Sequence, residues 1–224
     1  MVPKILGMRK MRGSWLKIPV LLAVTVLVVD MFAGAVVAQS SGKNDWKQTA
    51  NWSDQSTIRI LVESLSKAGK GADELWANLS PEVQDAILKY SKVERVITKV
   101  DTNEKEISIL GSGCKTFTVK RSGLNALGGE LWAYFQKIEW CYNGEKITSK
   151  TRLRWGEVYY PGWQFVGHIG NLEQGGVGQW SYRAWTQGEF KLCLGGDIGC
   201  IQYRYPWIDM TVYGNGANAY SSGG

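Results

Sequence analysis

The chain has 224 residues, of which 44% are apolar and 21% are charged, with eleven Trp, four Cys and a formal net charge of +6. This length allows one or two domains with a sizeable core, and the composition excludes a mainly disordered chain. The sequence has no heptad or Gly-X-Y period, which excludes a coiled coil and a collagen-like fibre.

The N-terminal segment has the three parts of a secretory signal peptide. Five basic side chains within residues 4–17 precede an apolar run over residues 18–29, and Val36 and Ala38 are the compact residues that a cleavage site requires. The alternative is an uncleaved anchor, because the apolar run continued to Ala38 is long enough to span a bilayer. Asp30 within that stretch favours cleavage after Ala38, so we expect a secreted, extracellular protein.

The signal peptide accounts for most of the positive charge. Residues 1–38 hold five basic residues and one acidic residue, so only +2 of the total of +6 remains on residues 39–224. The remaining charges are interspersed, and Arg152 and Arg154 form a short basic stripe that is typical of a solvated strand face. We therefore expect no nucleic acid partner, and no later segment is apolar enough to span a membrane.

All four cysteines, Cys114, Cys141, Cys193 and Cys200, lie in the C-terminal part of the chain. An even number of cysteines in an exported chain predicts two disulfides, for which three pairings exist. The Gly-rich loop from Cys193 to Cys200 favours a bridge between these two, and Cys114–Cys141 then closes a longer loop. The spacing does not fit a zinc site, so we expect no metal and no cofactor.

Residues 53–98 have the period of a helical hairpin, after a polar linker over residues 39–52. Ser53 is a candidate N-cap, Gly69 a helix stop, and Pro81 marks the start of the second helix. The apolar stripes comprise Ile58, Leu61, Val62, Leu65, Val83, Ala86, Ile87, Tyr90, Val93 and Ile97. A one-sided stripe requires each helix to dock, either on the following domain, on a protein partner, or as a pro-region that shields or oligomerises the next domain.

Over residues 104–220 the period changes from 3.6 to 2, with frequent Gly and many β-branched and aromatic residues. The predicted strands are 105–110, 115–121, 131–142, 146–155, 158–169, 178–187, 189–194 and 201–213. Asn143-Gly144 is the strongest hairpin signal in the chain. We therefore predict an α+β protein, with a disulfide-bonded antiparallel β-sandwich of jelly-roll or Greek-key type after the hairpin.

Alternation along the predicted strands separates a core face from an outer face. The core set comprises Trp163, Phe165, Ile169, Trp180, Tyr182, Ala184, Ile208, Met210 and Val212. The outer set mixes aromatic with polar and charged side chains, and comprises Gln164, His168, Arg183, Trp185, Gln187, Trp207, Asp209 and Tyr213. A shift of one residue in register would exchange the two faces.

Aromatic rings beside amide, carboxylate and guanidinium groups suit sugars, whose C–H faces stack on the rings while their hydroxyls bond to the polar groups. In this hypothesis three rings stack and three polar side chains form hydrogen bonds: Trp185, Trp207, Tyr213, Arg183, Gln187 and Asp209. The sequence favours a secreted, non-enzymatic module that binds extracellular polysaccharide or a cell-envelope polymer. The alternative is that these rings cover the sheet as ordinary packing.

Two other function classes stay open. A structural or effector protein would dock a protein partner through the helical hairpin. A carbohydrate-active hydrolase would need two well-spaced carboxylates, for which the candidates are Glu130, Glu139, Glu157, Glu173, Glu189 and Asp209. A triad of His168, Ser181 and Asp209 lacks the nucleophile-elbow motif, so we name no catalytic residue. An export signal before a Cys-paired, Trp- and Gly-rich β domain is typical of small secreted bacterial proteins.

Overall fold

A computed structural model describes residues 54–107 and 111–224 of the chain. The predicted signal peptide (1–38) and linker (39–52) lie outside the described residues. Within the described part, helices are few and nine antiparallel strands form two sheets, so the fold is mostly β. None of the helices described there is long and apolar enough to cross a bilayer.

The helical region is shorter than the sequence predicts. Helix α1 spans Gln55–Lys67, α2 spans Ala72–Ala77 and α3 spans Pro81–Ser91, with a 3-10 turn at Gly69–Gly71. Asp54 is the N-cap of α1, because its Oδ1 accepts a hydrogen bond from the Ser56 amide at 3.1 Å. The prediction that helix continues to residue 98 is wrong, since Arg95 begins a strand and the β-branched Ile97 pairs with Ser122.

Sheet A contains four strands in sequence order: β1 Arg95–Ile107, β2 Gly113–Leu124, β3 Glu130–Tyr142 and β4 Ile147–Val158. Cys114 lies opposite Cys141 in the register of β2 and β3, and the predicted disulfide between them is confirmed. The predicted turn at Asn143-Gly144 connects β3 to β4, and Gly144 has a φ of 92°, which suits glycine.

Sheet B contains β5 Trp163–Gly175, β6 Ser181–Cys193, β7 Cys200–Arg204, β8 Trp207–Tyr213 and β9 Asn218–Gly223. Its order is β5-β6-β8-β9, and β7 pairs with the second half of β6. The predicted strands 178–187 and 189–194 are one strand, because Gly188 donates to the Pro206 carbonyl at 3.0 Å and the edge stays paired. Pro206 has no amide proton to donate and separates β7 from β8. The predicted Cys193–Cys200 disulfide is confirmed and joins β6 to β7.

Neighbouring strands follow one another in sequence in sheet A and nearly so in sheet B. This is the order of a meander, whereas a jelly-roll or Greek key brings strands from distant positions side by side. The predicted jelly-roll or Greek-key topology is therefore not the order of the described strands. The physical reason is that successive strands are joined by short turns with glycines at positive φ, such as Gly128, Gly144 and Gly216.

One hydrophobic core contains side chains from both sheets and from the helices, including Ile58, Val62, Ile87, Phe117, Trp132, Ile138, Tyr182, Phe190, Ile208 and Met210. The helices contact the loops at one end of the sheets. The Trp163 Nε1 donates to the Ser91 carbonyl at 2.8 Å, and Arg59 Nη2 donates to the Tyr159 carbonyl at 3.1 Å. The apolar stripes of the helices are thus buried in the hydrophobic core of this fold.

Two side chains predicted for the core lie outside it. Trp180 is 49% exposed, because it belongs to the turn that precedes β6. Ile169 is 51% exposed, and it lies beside two register shifts in β5, between Phe165 and Gly167 and between His168 and Gly170. Each bulge changes the face to which the following residues point, so simple alternation fails along β5.

Candidate functional site

The six predicted ligand-binding residues lie on β6 and β8, on the face of sheet B that points away from the core. Buried and half-buried or exposed positions alternate strictly along both strands. The predicted outward positions of these residues are confirmed, and they comprise Arg183, Trp185, Gln187, Trp207, Asp209 and Tyr213. Their role in binding stays a prediction, which the geometry below makes more specific.

One register row crosses this outer face from β5 to β9. It contains, in spatial order, Gly170, Gln187, Trp207 and Gly223. Adjacent strands lie about 4.8 Å apart, so the row spans about 14 Å. We call these four residues the platform row.

Two tryptophan rings lie over the glycines at the ends of the platform row. A Cβ atom placed on Gly170 would lie 2.5 Å from Cη2 and Cζ3 of Trp185. A Cβ atom placed on Gly223 would lie 2.6 Å from Cε2 and Cζ2 of Trp207. Each indole therefore fills the space above a glycine, as aromatic side chains do when they cover glycines in sheets. Because both rings are only half-buried, part of each indole is accessible to solvent.

The polar groups beside the rings are already ordered. Arg183 binds Asp209 through two donors, with Nη2 to Oδ2 at 2.6 Å and Nε to Oδ1 at 3.1 Å. Asp209 lies directly opposite Trp185 in the register of β6 and β8. Gln187 donates from Nε2 to the Tyr205 carbonyl at 3.2 Å, and its Oε1 has no hydrogen-bond partner in the described part of the chain.

Tyr213 lies farther from the platform row than the other five residues do. It lies opposite Ser181, which is about 20 Å along β6 from Gln187 at about 3.3 Å per residue. Its ring neighbour is Trp180, with 6.2 Å between ring centroids. The structure thus places Trp185, Trp207, Gln187 and Asp209 in the platform row or in the row beside it, with Arg183 one row further along β6 and Tyr213 in the row beyond that.

Sequence reasoning missed an aromatic cluster on the outer face of sheet A. Phe135 and Trp155 stack face to face, with 4.6 Å between centroids and 3° between planes. Trp155 donates from Nε1 to Glu157 Oε1 at 2.7 Å, and the Tyr159 hydroxyl donates to the same carboxylate. These two bonds lower the pKa of Glu157. The alternation of Trp155, Glu157 and Tyr159 was the available signal. Here the rings cover one another, whereas Trp185 and Trp207 each cover a glycine.

Sequence reasoning also missed a polar cluster between β4 and β5, two edge strands of different sheets. Arg152 was expected on a solvated strand face, but its side chain is only 7% exposed. Its Nη1 lies 2.6 Å from Asn171 Oδ1 and 2.9 Å from Glu173 Oε1. Its Nη2 donates to Gln136 Oε1 at 2.5 Å and to the Trp185 carbonyl at 3.1 Å. The expectation fails because the partner carboxylate belongs to the other sheet. We call Gln136, Arg152, Asn171 and Glu173 the seam cluster.

His168 lies beside the seam cluster and contacts neither of its proposed triad partners. The Tyr134 hydroxyl lies 2.8 Å from His168 Nδ1 and 2.7 Å from Thr186 Oγ1. Burial, followed by the charges of Arg154 and Arg152, lowers the pKa of His168. His168 pairs with Gly188, about 23 Å along β6 from Ser181, which rules out a triad that includes both residues.

Five of the six carboxylates considered for hydrolysis are engaged with cations or hydroxyls, and Glu189 is the exception among the described residues. Glu173 accepts from Tyr182, Lys150 and Arg152, and these bonds, that from Tyr182 first, lower its pKa to about 2. A general acid of a glycosidase needs a raised pKa, so Glu173 is suited to hold positive charge rather than to donate a proton. Among the described residues, no group of three His, Cys, Asp or Glu side chains is placed to hold a metal ion.

A groove of about 340 Å³ lies elsewhere, between α1 and the turn that joins β4 to β5. Its lining comprises Arg59, Glu63, Ser66, Lys67, Val158, Tyr159, Tyr160, Pro161 and Trp163. Two of its charges are paired, with 2.5 Å between Lys67 Nζ and Glu63 Oε1. None of the predicted ligand-binding residues lines this groove.

Comparisons with protein-family models, with curated proteins and with solved structures found no match to this chain. No relative or structural neighbour therefore bears on the function of the outer face of sheet B.

Proposed function

We propose that the protein is a non-enzymatic module that binds an extracellular glycan or cell-envelope polymer on the outer face of sheet B. The observation that carries this proposal is the position of Trp185 and Trp207 over Gly170 and Gly223. An indole that lies against the sheet offers a flat apolar surface to solvent. The C–H face of a pyranose ring stacks on such a surface, and its hydroxyl groups point sideways.

Polar groups are available where those hydroxyls would point. Gln187 lies between the two rings in the platform row, and its Oε1 can accept a hydrogen bond from a hydroxyl. Arg183 and Asp209 lie beside Trp185 and offer both a donor and an acceptor. Flat apolar area with a few placed polar groups is the usual composition of a sugar site.

Export of the protein is part of the proposal. The basic, apolar and compact segments of residues 1–38 are typical of a cleavable signal peptide with a cut after Ala38. Two disulfides and no free cysteine in the described chain fit an oxidising compartment. An extracellular location would bring the outer face of sheet B into contact with extracellular polymers.

The two alternatives have less support. A helical hairpin that docks a protein partner would use its apolar stripe, but Ile58, Val62 and Ile87 are buried in the core. A hydrolase would need a carboxyl group with a raised pKa, and the pKa values of Glu157 and Glu173 are lowered.

The test is retention on insoluble polysaccharides of the full chain, expressed with its own N-terminal segment and collected after export. The panel contains cellulose, chitin, xylan and peptidoglycan. We expect at least one to retain the protein, and Trp185→Ala and Trp207→Ala each to weaken retention about tenfold or more. Trp180→Ala is the matched control, because it removes an exposed indole outside the platform row. Lack of retention on every polymer, or equal retention of wild type and Trp185→Ala, would overturn the proposal.

A further inference from the structure

We infer, on the basis of the function proposed above, that the bound polymer is uncharged and lies across the strands along the platform row, so that one chain covers both indole rings.

The direction of the chain follows from the way the two rings point. Trp185 extends from β6 over Gly170 of β5, and Trp207 extends from β8 over Gly223 of β9. The rings thus point away from each other, while the two glycines belong to one register row. The ends of that row are about 14 Å apart, which is more than one sugar ring can cover. A ligand that contacts both rings must follow the row, across the strands.

The charge of the polymer follows from the side chains around the rings. Trp185, Gln187 and Trp207 are uncharged, and the register neighbours of Trp185 and Asp209 on the outer strands are Leu172 and Ser221. These residues form two rows, the platform row and the adjacent row of Leu172, Trp185, Asp209 and Ser221. Asp209 is the one acidic side chain in these two rows, and Arg183 from the next row neutralises its charge. An anionic polymer would meet no unpaired cation in these rows of the described chain, and Glu189, in the next row on the same face of β6 and without an ion pair in the described chain, would repel it. An uncharged polymer can bind this surface without burying an unpaired charge of its own, which would cost free energy.

The position of Trp185 is fixed from the opposite side of the sheet. Arg152 Nη2 donates to the Trp185 carbonyl at 3.1 Å, and Arg154 Nη1 donates to the Gly170 carbonyl at 3.3 Å. The residue that carries the ring and the glycine beneath it are therefore both held by arginines of β4. Such support reduces the ordering that binding would otherwise require.

The experiment measures affinity against oligomer length by titration calorimetry. The probes are cello-, chito- and polygalacturonate oligosaccharides from disaccharide to octasaccharide, with wild type, Trp185→Ala and Trp207→Ala at low and high salt. We expect neutral oligomers long enough to reach both rings to bind about tenfold or more tightly than the shortest ones, without salt dependence. Each variant should bind long oligomers no better than short ones, because only one ring remains.

The outcomes separate this inference from the function on which it rests. Affinity that does not depend on length, preference for the anionic series, or retention on insoluble polymer without binding of any soluble oligomer would overturn the inference and leave glycan binding intact. Failure of every soluble and insoluble polysaccharide to bind would overturn both.

Discussion

Arg152 Nη1 lies 2.9 Å from Glu173 Oε1, and this ion pair joins β4 to β5, which share no backbone ladder. The same guanidinium donates to Gln136 and to the Trp185 carbonyl. One buried cation therefore connects four strands from two sheets. We therefore expect Glu173, the anion of this pair, to contribute to stability and to help hold the backbone that carries Trp185.

Glu173→Gln is expected to lower the free energy of unfolding by about 1–2 kcal/mol. Breaking a fully buried pair costs about 3–5 kcal/mol, but Glu173 is 41% exposed and solvent screens part of its interaction. Chemical denaturation at neutral pH measures the change. Glu189→Gln is the control, because Glu189 has no ion pair in the described chain, and an equal effect of both substitutions would contradict the prediction.

The contribution of Glu173 should depend on pH. Hydrogen bonds from Tyr182, Lys150 and Arg152 lower the pKa of this carboxyl from 4.5 to about 2. A lowered pKa means that the stabilisation is complete above the unfolded value and is lost as pH falls through the folded value. The difference in unfolding free energy between wild type and Glu173→Gln is therefore constant above about pH 5 and shrinks toward pH 2. A difference that stays constant down to pH 2 would contradict this assignment.

His168 should titrate below the ordinary range of histidine. Burial and the nearby charges of Arg154 and Arg152 disfavour its protonated form and lower its pKa from 6.5. The chain has one histidine, so a single imidazole signal in a proton NMR titration reports this group directly. We expect a midpoint below 6.5 in the folded protein and near 6.5 in denaturant. Stability should correspondingly fall as pH drops below 6.5, and a folded midpoint at or above that value would refute the prediction.

The alternation along β6 and β8 was predictable because both strands are regular and one face of each is apolar. The two disulfide pairings were predictable for a similar reason, since Cys193 and Cys200 flank a short Gly-rich loop and leave Cys114 with Cys141. Helix α3 ends early because strand pairing with β2 outweighs the helical spacing of Val93 and Ile97.

The glycine beneath Trp185 was not predictable from the sequence. Two register shifts in β5 determine that Gly170, rather than a neighbouring residue, lies opposite Gln187. Bulges leave no periodic signal, so spacing alone does not show which residues meet across β5 and β6. The burial of Arg152 was hidden for another reason. Glu173 is distant in sequence and belongs to the other sheet, so no local pattern pairs the two.

Gly170→Ala and Gly223→Ala should weaken polymer binding without unfolding the protein. The added methyl would overlap Cη2 and Cζ3 of Trp185 or Cε2 and Cζ2 of Trp207, so the indole must turn away from its flat position over the glycine. We expect loss of retention comparable to that of the Trp→Ala variants, with unfolding free energy changed by no more than about 1 kcal/mol. Tryptophan fluorescence reports the altered ring environment.

Gly71→Ala is the control for these substitutions, because a Cβ atom there meets nothing within 4 Å. It should bind polymer like wild type. Normal polymer retention by both Gly170→Ala and Gly223→Ala, with the rings displaced, would mean that the flat ring positions are not needed for binding.

The two disulfides should contribute unequally to stability. Cys114–Cys141 closes a loop with a sequence separation of 27, and Cys193–Cys200 one of 7. In the chain-entropy account the longer loop contributes about 3.5 kcal/mol and the shorter about 2.4 kcal/mol. Replacing both cysteines of one pair by serine should therefore lower the unfolding free energy more for Cys114 and Cys141, as measured by guanidinium denaturation. A larger loss for the Cys193 and Cys200 variant would mean that the short bridge acts mainly on the folded state, by holding β7 against β6, rather than by restricting the unfolded chain.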